Sequence, residues 1–314
     1  MDKVLIAMSG GVDSSVAAFL MKEQGCECIG ATMKLFHNED IGVSRTKTCC
    51  SLEDVEDARL VALRLGIPYY VFNFSDDFKG QVIDRFISSY ERGATPNPCI
   101  DCNRYLKFDK LFERADIMGC RYIATGHYAR IEREGEKYVL KKALDETKDQ
   151  SYVLYDLTQE TLARVKFPLG SLRKTEAREI AAEAGLINAR KHDSQDICFV
   201  PDGDYAKVIE SRTGKTPEPG PFLDLNGNVV GTHRGIIHYT VGQRRGLRMP
   251  SDGKIYVVKI LPERNAVECD DTVAQGQMIS DGDLLDFELF VLRIVDGALA
   301  GVQPDQIAAV GALQ

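Results

Sequence analysis

Over the first 130 residues the chain alternates between two patterns of apolar and polar positions. The short apolar run at 3–8 (KVLIAM) has the look of a buried parallel strand, and 28–36, 69–74 and 121–128 read as further strands. Between them apolar residues fall three and four apart, the spacing of one helix face. Val16, Phe19 and Leu20 mark the first such stretch, over 14–24, with Gly25 as its stop. Ser51 and Asp54 form a capping-box pair that opens a second, ended by Gly66 and Pro68. Ser75 caps a third, whose Phe78, Val82, Phe86 and Tyr90 share a face. A Pro-rich loop over 93–103 precedes a fourth, over 104–118. Strand and helix take turns, which predicts an α/β fold with a doubly wound, Rossmann-like parallel sheet.

Beyond residue 130 the pattern changes. Residues 129–143 read as a β-hairpin turning at Glu134-Gly135, and 158–187 as helices. From about 201, Gly- and Pro-bearing segments (GKTPEPGPF, NGN, GQRRG) punctuate short apolar runs, which predicts a small all-β module. The expected domains are 1–200, a catalytic domain with a helical part, 201–271, a small central β domain, and 272–314, a tail.

Composition adds exclusions. With 44% hydrophobic and 27% charged residues the chain is globular, not disordered, collagenous or a coiled coil. No apolar run approaches the roughly 18 residues that span a bilayer. The N-terminus lacks a signal peptide's apolar segment, so a cytoplasmic protein is expected. Nine cysteines, an odd number, then read as thiols, metal ligands or catalysts and not as a disulfide framework. The net charge of −8 argues against nucleic acid until its distribution is read. Residues 265–314 hold nine acids and one base, so 1–264 is neutral, and 231–264 carries seven bases against two acids. A basic patch of that kind meets phosphate locally, within about a Debye length.

Three segments carry candidate chemistry. Ser9-Gly10-Gly11-Val12-Asp13-Ser14-Ser15 follows a strand and opens a helix. Its glycines let backbone approach a ligand, its amides and helix N-terminus favour an anion, its serines add hydroxyls, and Asp13 suits a phosphate-bound Mg²⁺. No Lys follows the glycines, so this is not a GxxxxGK[ST] loop, and there is no GxGxxG fingerprint. The plain alternative is a serine-capped turn. Thr95–Asn103 (TPNPCIDCN) is a CxxC held on a stiff loop by two prolines, suited to a metal clip or a redox pair. Ser194–Phe199 (SQDICF) places Cys198 in an apolar run, where a buried core thiol is the plain alternative. Cys26, Cys28, Cys120 and Cys269 read as packing, and Cys49-Cys50 lies in a polar loop. Gly126-His127 ends a strand at the sheet edge where α/β folds bind ligands. Lys148–Tyr152 is polar, and Gln243–Arg248 is basic and suited to phosphate, or simply solvated.

Taken in order, SGGVDSS, TPNPCIDCN, ATGHYAR, KDQSYVL, SQDICFV and HYTVGQRRGL resemble the bacterial tRNA-specific 2-thiouridylase family, within the pyrophosphatase-loop ATPases, over roughly residues 1–290. The resemblance implies ATP-dependent adenylation of the wobble uridine of tRNA, using Mg²⁺, followed by sulfur transfer to carbon 2. By resemblance Ala7, Met8, Ser9, Gly10, Gly11, Val12, Asp13 and Ser14 hold ATP, with Met33 and Gly126 near the adenosine. Asn97, Pro98 and Cys99 match the segment that meets the target base, and His127, Lys148, Asp149 and Gln150 match tRNA contacts. Cys198 matches the residue that carries a persulfide delivered by a desulfurase or sulfur-relay protein. Cys102 matches the second catalytic cysteine, which assists release and can afterwards form a disulfide with Cys198. Some family members have Asp where this chain has Cys99. Cys99, Cys102 and Cys198 therefore also allow a [4Fe–4S] cluster as the sulfur carrier.

The C-terminus departs from the family. The last 18 residues are Ala-rich with one charge, so 272–314 is expected to be a truncated or divergent remnant of a closing β-barrel, with Leu284–Ile294 an open edge. Two other classes fit parts of the pattern: a synthetase adenylating a small molecule, and a tRNA-binding module without catalysis.

Overall fold

The computed structural model describes residues 1–36, 52–192, 197–200, 203–249 and 254–270. It divides into two compact units. One comprises 1–82 and 99–203, the other 83–98 and the described residues from 204 onward.

The first unit is built on five strands, β1 (Lys3–Ala7), β2 (Glu27–Lys34), β3 (Tyr69–Asn73), β4 (Tyr122–Ala124) and β7 (Val165–Lys166). All pair in parallel, in the order β3-β2-β1-β4-β7. Leu5 of β1 sits between Ile29 of β2 and Ile123 of β4. Val4, Leu5 and Ile6 are fully buried, as an unbroken apolar run covered on both faces must be. Strand order reverses at β1, since β2 and β3 lie on one side and β4 and β7 on the other. One face is covered by helices Val12–Glu23, Leu52–Leu65 and Lys174–Glu183, whose Val16, Met21, Ala58, Ala62, Ala177 and Ala181 share a core with Val4 and Ile6. The hairpin is present, as β5 (Ala129–Glu134) and β6 (Lys137–Lys142).

Three local expectations change. The run 121–128 is a strand only over Tyr122–Ala124, because Thr125–Tyr128 leave the sheet to build the site described below. The stretch 158–187 is not all helix. Val165–Lys166 pairs with Ile123 and Ala124 as the fifth strand, too short to carry a period of its own. The fourth helix begins earlier, at Pro98–Asp101, and is a π-helix over Cys102–Lys110 before Leu111–Ile117.

The second unit holds the predicted β module, with β8 (Gly220–Leu223), β9 (Val229–His233), β10 (Tyr256–Leu261) and β11 (Ala266–Asp270) in the order β10-β11-β8-β9. Phe222, Tyr239, Val257 and Val267 form its core, with the Phe222 and Tyr239 rings 5.2 Å apart. It also contains a helix that was not expected, Tyr205–Thr213. The Asp204 carboxylate caps its start by accepting from the Lys207 N–H (3.1 Å), and left-handed Gly214 ends it. Residues 83–98 belong here, with Tyr90 stacked on Tyr205 at 4.6 Å and Glu91 paired with Lys215 at 3.3 Å. Among the described residues no helix is long and apolar enough to cross a membrane. Cys49-Cys50, residues 194–196 of SQDICF, the tail from 272 and its Leu284–Ile294 run lie outside the described residues.

Candidate active site

The SGGVDSS loop leaves the carboxyl end of β1 beside β4, where strand order reverses and open α/β sheets hold ligands. Ala7 ends the strand. Met8 is buried and anchored by its N–H to Ala31 O (2.8 Å), while Thr32 Oγ1 donates to its carbonyl (2.6 Å). Gly10 is left-handed (φ 77°), and a Cβ there would strike the backbone of Asp54. Gly126 lies flat against the loop, since a Cβ on it would stand 2.7 Å from Ser14 N. Only glycine fits these two positions, and together they bring three backbone segments into contact.

The loop's own hydroxyls are mostly committed to shaping it. Ser14 Oγ accepts from Ser9 N (3.1 Å) and donates to Gly11 O (3.1 Å), and Ser15 Oγ donates to Gly11 O (2.9 Å). Ser15 is fully buried and Ser14 nearly so, whereas Ser9 is exposed. Of the three serines expected to face an anion, Ser9 is thus the accessible one.

The cations missing from the loop sequence arrive from elsewhere. Lys174, 9% exposed at the start of its helix, donates to both Asp13 carboxylate oxygens (2.8 and 2.7 Å). A buried ammonium is tolerated only when paired. The Tyr128 hydroxyl donates to the same carboxylate at 2.9 Å. Lys191 Nζ reaches Gly10 O (3.3 Å) and the carboxylates of Asp54 and Asp57 (2.6 Å each). Burial works against the Lys191 charge, but the two carboxylates outweigh it and hold its pKa above the ordinary lysine range. Asn188 Nδ2 stands within 2.9 Å of Gly10 O, 3.2 Å of Gly11 O and 2.8 Å of Ser15 Oγ.

Tyr128 also ties this loop to the Lys148–Gln150 segment. Gln150 N donates to Tyr128 O (2.8 Å), and Tyr128 N donates to Gln150 Oε1 (3.0 Å). Asp149 accepts from Ala143 N (2.8 Å) and Ser151 Oγ (2.7 Å), and Lys148 is half-buried. His127 is buried. Lys107 Nζ, 3.3 Å from its Nε2, can only donate, so Nε2 accepts and Nδ1 carries the proton toward Thr125 Oγ1 at 2.7 Å. Burial, reinforced by Lys107, drives its pKa well below the ordinary range and keeps the ring neutral. Met33 is half-buried near the end of β2.

The cysteine segment is built differently. Asn97 is half-buried and Pro98 buried. Cys99 is exposed, and half-buried Cys102 opens the π-helical stretch. Asn103, 1% exposed, anchors the stretch by donating to Val153 O (3.0 Å). Tyr152 is half desolvated near this segment. Its pKa is raised by burial first, then by the charges of Cys99 and Asp149. Cys198 is half-buried. Its neighbour Phe199 packs edge-on against Phe78 at 5.8 Å and fixes that end of the SQDICF segment. Among the described residues no three His, Cys, Asp or Glu side chains are gathered to hold a metal. Burial pushes the thiols of Cys28 and Cys269 up, to about 11 and about 12, and Cys120 is likewise buried and raised, as packing residues are.

Comparison with known proteins now identifies the relatives. The model of the tRNA methyl transferase HUP domain matches residues 2–202, and that of the tRNA methyl transferase PRC-barrel domain matches 207–269. A tRNA-specific 2-thiouridylase, MnmA 2, of Clostridium tetani is 51% identical over 84% of this chain and 74% of its own length. The MnmA of Lachnoclostridium phytofermentans is 52% identical over 85% and 75%, and that of Clostridium acetobutylicum 48% over 91% and 79%.

The chain belongs to the tRNA-specific 2-thiouridylase family.

Among solved structures the likeness is looser. A 4-thiouridine synthetase–RNA complex with bound ATP is 20% identical over 68% of this chain and 50% of that one, with a TM-score of 0.41. The local pattern of SGGVDSS marks the loop in the sequence, but nothing there marks Lys174, Asn188, Lys191 or Asp54, nor the bond from Tyr128 to Asp13. Those contacts span 115 to 178 residues for Tyr128, Lys174 and Asn188. A lysine at a helix start, or an Asn in a polar loop, has no periodic signature. The one usable cue was Gly126-His127-Tyr128 at a strand end on the ligand-binding edge of the sheet.

Proposed function

We propose that the chain is a sulfurtransferase that converts the wobble uridine of tRNA to 2-thiouridine, with ATP and Mg²⁺. The carrying observation is the family match over 2–202, a single span that takes in the SGGVDSS loop, the CxxC and Cys198. The work is cytoplasmic, and its partners are tRNA and a sulfur-donor protein.

Carbon 2 of uracil is a poor electrophile, so its oxygen must first become part of a leaving group. The uridine O2 attacks the α-phosphorus of ATP, pyrophosphate departs, and the base is left adenylated. The amides of Gly11 and Val12, at the start of helix Val12–Glu23, lie where the helix end favours the departing pyrophosphate. Asp13 would hold Mg²⁺ through its carboxylate, and the ion would supply neutralisation of phosphate charge. Lys174 and Tyr128 hold that carboxylate in place. Gly126 seats its backbone against Asp13 and Ser14 of the loop, and the resemblance to the family assigns the adenosine to it and to Met33.

Sulfur follows. The terminal sulfur of a Cys198 persulfide attacks carbon 2, and AMP leaves with the former O2. The Cys102 thiolate then attacks the Cys198 sulfur, the S–S bond to the base breaks, and 2-thiouridine departs with that electron pair. The product pair is a Cys102–Cys198 disulfide, reduced before the next cycle by a cellular thiol. Asn97, Pro98 and Cys99 present the flipped base, and Lys148, Asp149 and Gln150 meet the tRNA. His127, being buried and neutral, serves the RNA side by supporting Lys107. A cluster would need three thiolates on one site, and among the described residues no such set is gathered; no step runs through one.

The test is AMP release with and without unmodified tRNA, with a desulfurase and cysteine as donor, followed by mass analysis of the nucleosides. AMP that requires tRNA, together with 2-thiouridine, is the expected result. AMP without tRNA would indicate a small-molecule synthetase, and tRNA binding without AMP a non-catalytic module. A methylated nucleoside would instead indicate a tRNA methyltransferase.

A further inference from the structure

We propose that Asn188 and Lys191 are positioning residues that aim the amides of the nucleotide loop at pyrophosphate. This rests on the reading of SGGVDSS as the ATP site and adds to it.

The loop's orientation is a choice between two opposite electrostatic surfaces. In a planar trans peptide the carbonyl and the following N–H point in opposite directions. If the Gly10 and Gly11 carbonyls point inward, the Gly11 and Val12 amides point outward and form an anion-binding concavity. If those peptides flip, carbonyl oxygens face the phosphates and repel them. Gly10 is left-handed at φ 77°, and glycine alone does not select one orientation over the other.

At Gly11 the Ser14 and Ser15 hydroxyls and the Ser15 N–H already hold the carbonyl, so the selection that Asn188 supplies falls on the Gly10 carbonyl. Asn188 is 4% exposed, and its Nδ2 reaches both carbonyls and Ser15 Oγ, at 2.9, 3.2 and 2.8 Å. Two amide protons thus serve three acceptors, all on the loop or the helix it opens. Lys191 adds a second donor to Gly10 O. Its charge is already matched by Asp54 and Asp57 at 2.6 Å, which makes it a brace and not a spare phosphate cation. The same Asp54 contributes the backbone against which Gly10 is seated.

The Asn188 side chain is held for its donors and at a cost. Its Oδ1 is buried without a hydrogen-bond partner among the described residues. An unsatisfied buried acceptor is unfavourable, so an apolar side chain would suit this position if packing were the purpose. Leu186, two residues earlier and 3% exposed, performs the packing.

The experiment measures two affinities by calorimetry in the full chain, for magnesium pyrophosphate and for adenosine, in wild type, Asn188→Ala, Lys191→Met and Lys191→Arg. Loss of an aimed amide should weaken pyrophosphate about five- to tenfold in Asn188→Ala and Lys191→Met, at roughly one hydrogen bond each. Adenosine affinity should move less than about twofold, and Lys191→Arg should restore pyrophosphate binding. A general structural role would weaken both ligands together and would not be rescued by Arg. If Asn188→Ala does not fold, the half-exposed Lys191 pair decides the question alone. Wild type that binds neither ligand would overturn the ATP-site reading and this inference with it. Wild-type binding that Asn188→Ala and Lys191→Met leave unchanged would overturn this inference alone.

Discussion

The nucleotide loop and the cysteines of the CxxC lie in one unit and are built on opposite principles. Around SGGVDSS nearly every polar atom is committed. Ser15 and Lys174 are buried, Asp13 takes three donated bonds, and Asn188 and Lys191 hold the loop carbonyls. Around the CxxC, Cys99 is exposed, Cys102 and Cys198 are half-buried, and the helix runs as a π-helix over nine residues. A surplus residue in a helical turn is a frequent mark of functional sites. The difference follows from the two half-reactions. Stabilising a departing pyrophosphate calls for dipoles fixed beforehand, since reorganising them costs catalysis. Passing sulfur between a donor, a base and two thiols calls for thiols that can be reached and can move.

The two regions should therefore fail differently. The largest effect expected is loss of thiolation in Cys198→Ser and in Cys102→Ser, read as 2-thiouridine by mass analysis, with ATP affinity unchanged. Persistence of 2-thiouridine in Cys198→Ser would contradict the sulfur route. Asp13→Ala should lower adenylation by about two to three orders of magnitude, the usual effect of removing one fixed electrostatic group, while tRNA affinity in a filter-binding assay stays within about twofold. Equal adenylation would mean the loop only turns the chain.

A third prediction concerns the floor of the cysteine segment. Neither Asp156 carboxylate oxygen has a hydrogen bond among the described residues, and Arg104 stands 3.6 Å away. Burial pushes its pKa up to about 6, against the pull of Arg104. A folded-state pKa above the unfolded value gives a contribution that is full below about pH 4 and is lost as pH rises through 6. Asp156→Asn should thus raise stability by up to about 3 kcal/mol at pH 7.5 and change it little at pH 4, measured as denaturant midpoints. Destabilisation at pH 7.5 would show that the Arg104 pair outweighs burial. The smallest effect expected is Tyr128→Phe, which removes one bond to Asp13 and should raise the KM for ATP about fivefold. An unchanged KM would loosen the tie between the tRNA-side segment and the nucleotide loop.

The sequence carried the parallel sheet, the hairpin and the SGGVDSS loop because each is local. An apolar run, a Glu-Gly turn or two glycines before a helix can be read without knowing what they pack on. Val165–Lys166 was missed because two residues carry no period, and only Ile123 and Ala124 make them a strand. Helix Tyr205–Thr213 was legible in principle, since Asp204 and Gly214 bracket it, but the glycines and prolines that follow dominated the reading. The donors on Asp13 and on the loop carbonyls were beyond local reading. Lys174, Asn188 and Lys191 acquire their roles only when the helix after β7 returns to β1. Sequence alone suggests that all three loop serines face an anion, whereas Ser14 and Ser15 mainly shape the loop. Sequence names the donors, but only the fold says what they are spent on.

The most direct test of the separation between fixed cradle and reachable thiols is pyrophosphate release by Cys198→Ser over a single turnover with unmodified tRNA. A burst of about one pyrophosphate per active site, at the wild-type rate and with no 2-thiouridine formed, is the predicted result. No burst, or one slowed together with thiolation, would show that activation needs the sulfur-bearing cysteine and that the two regions act as one.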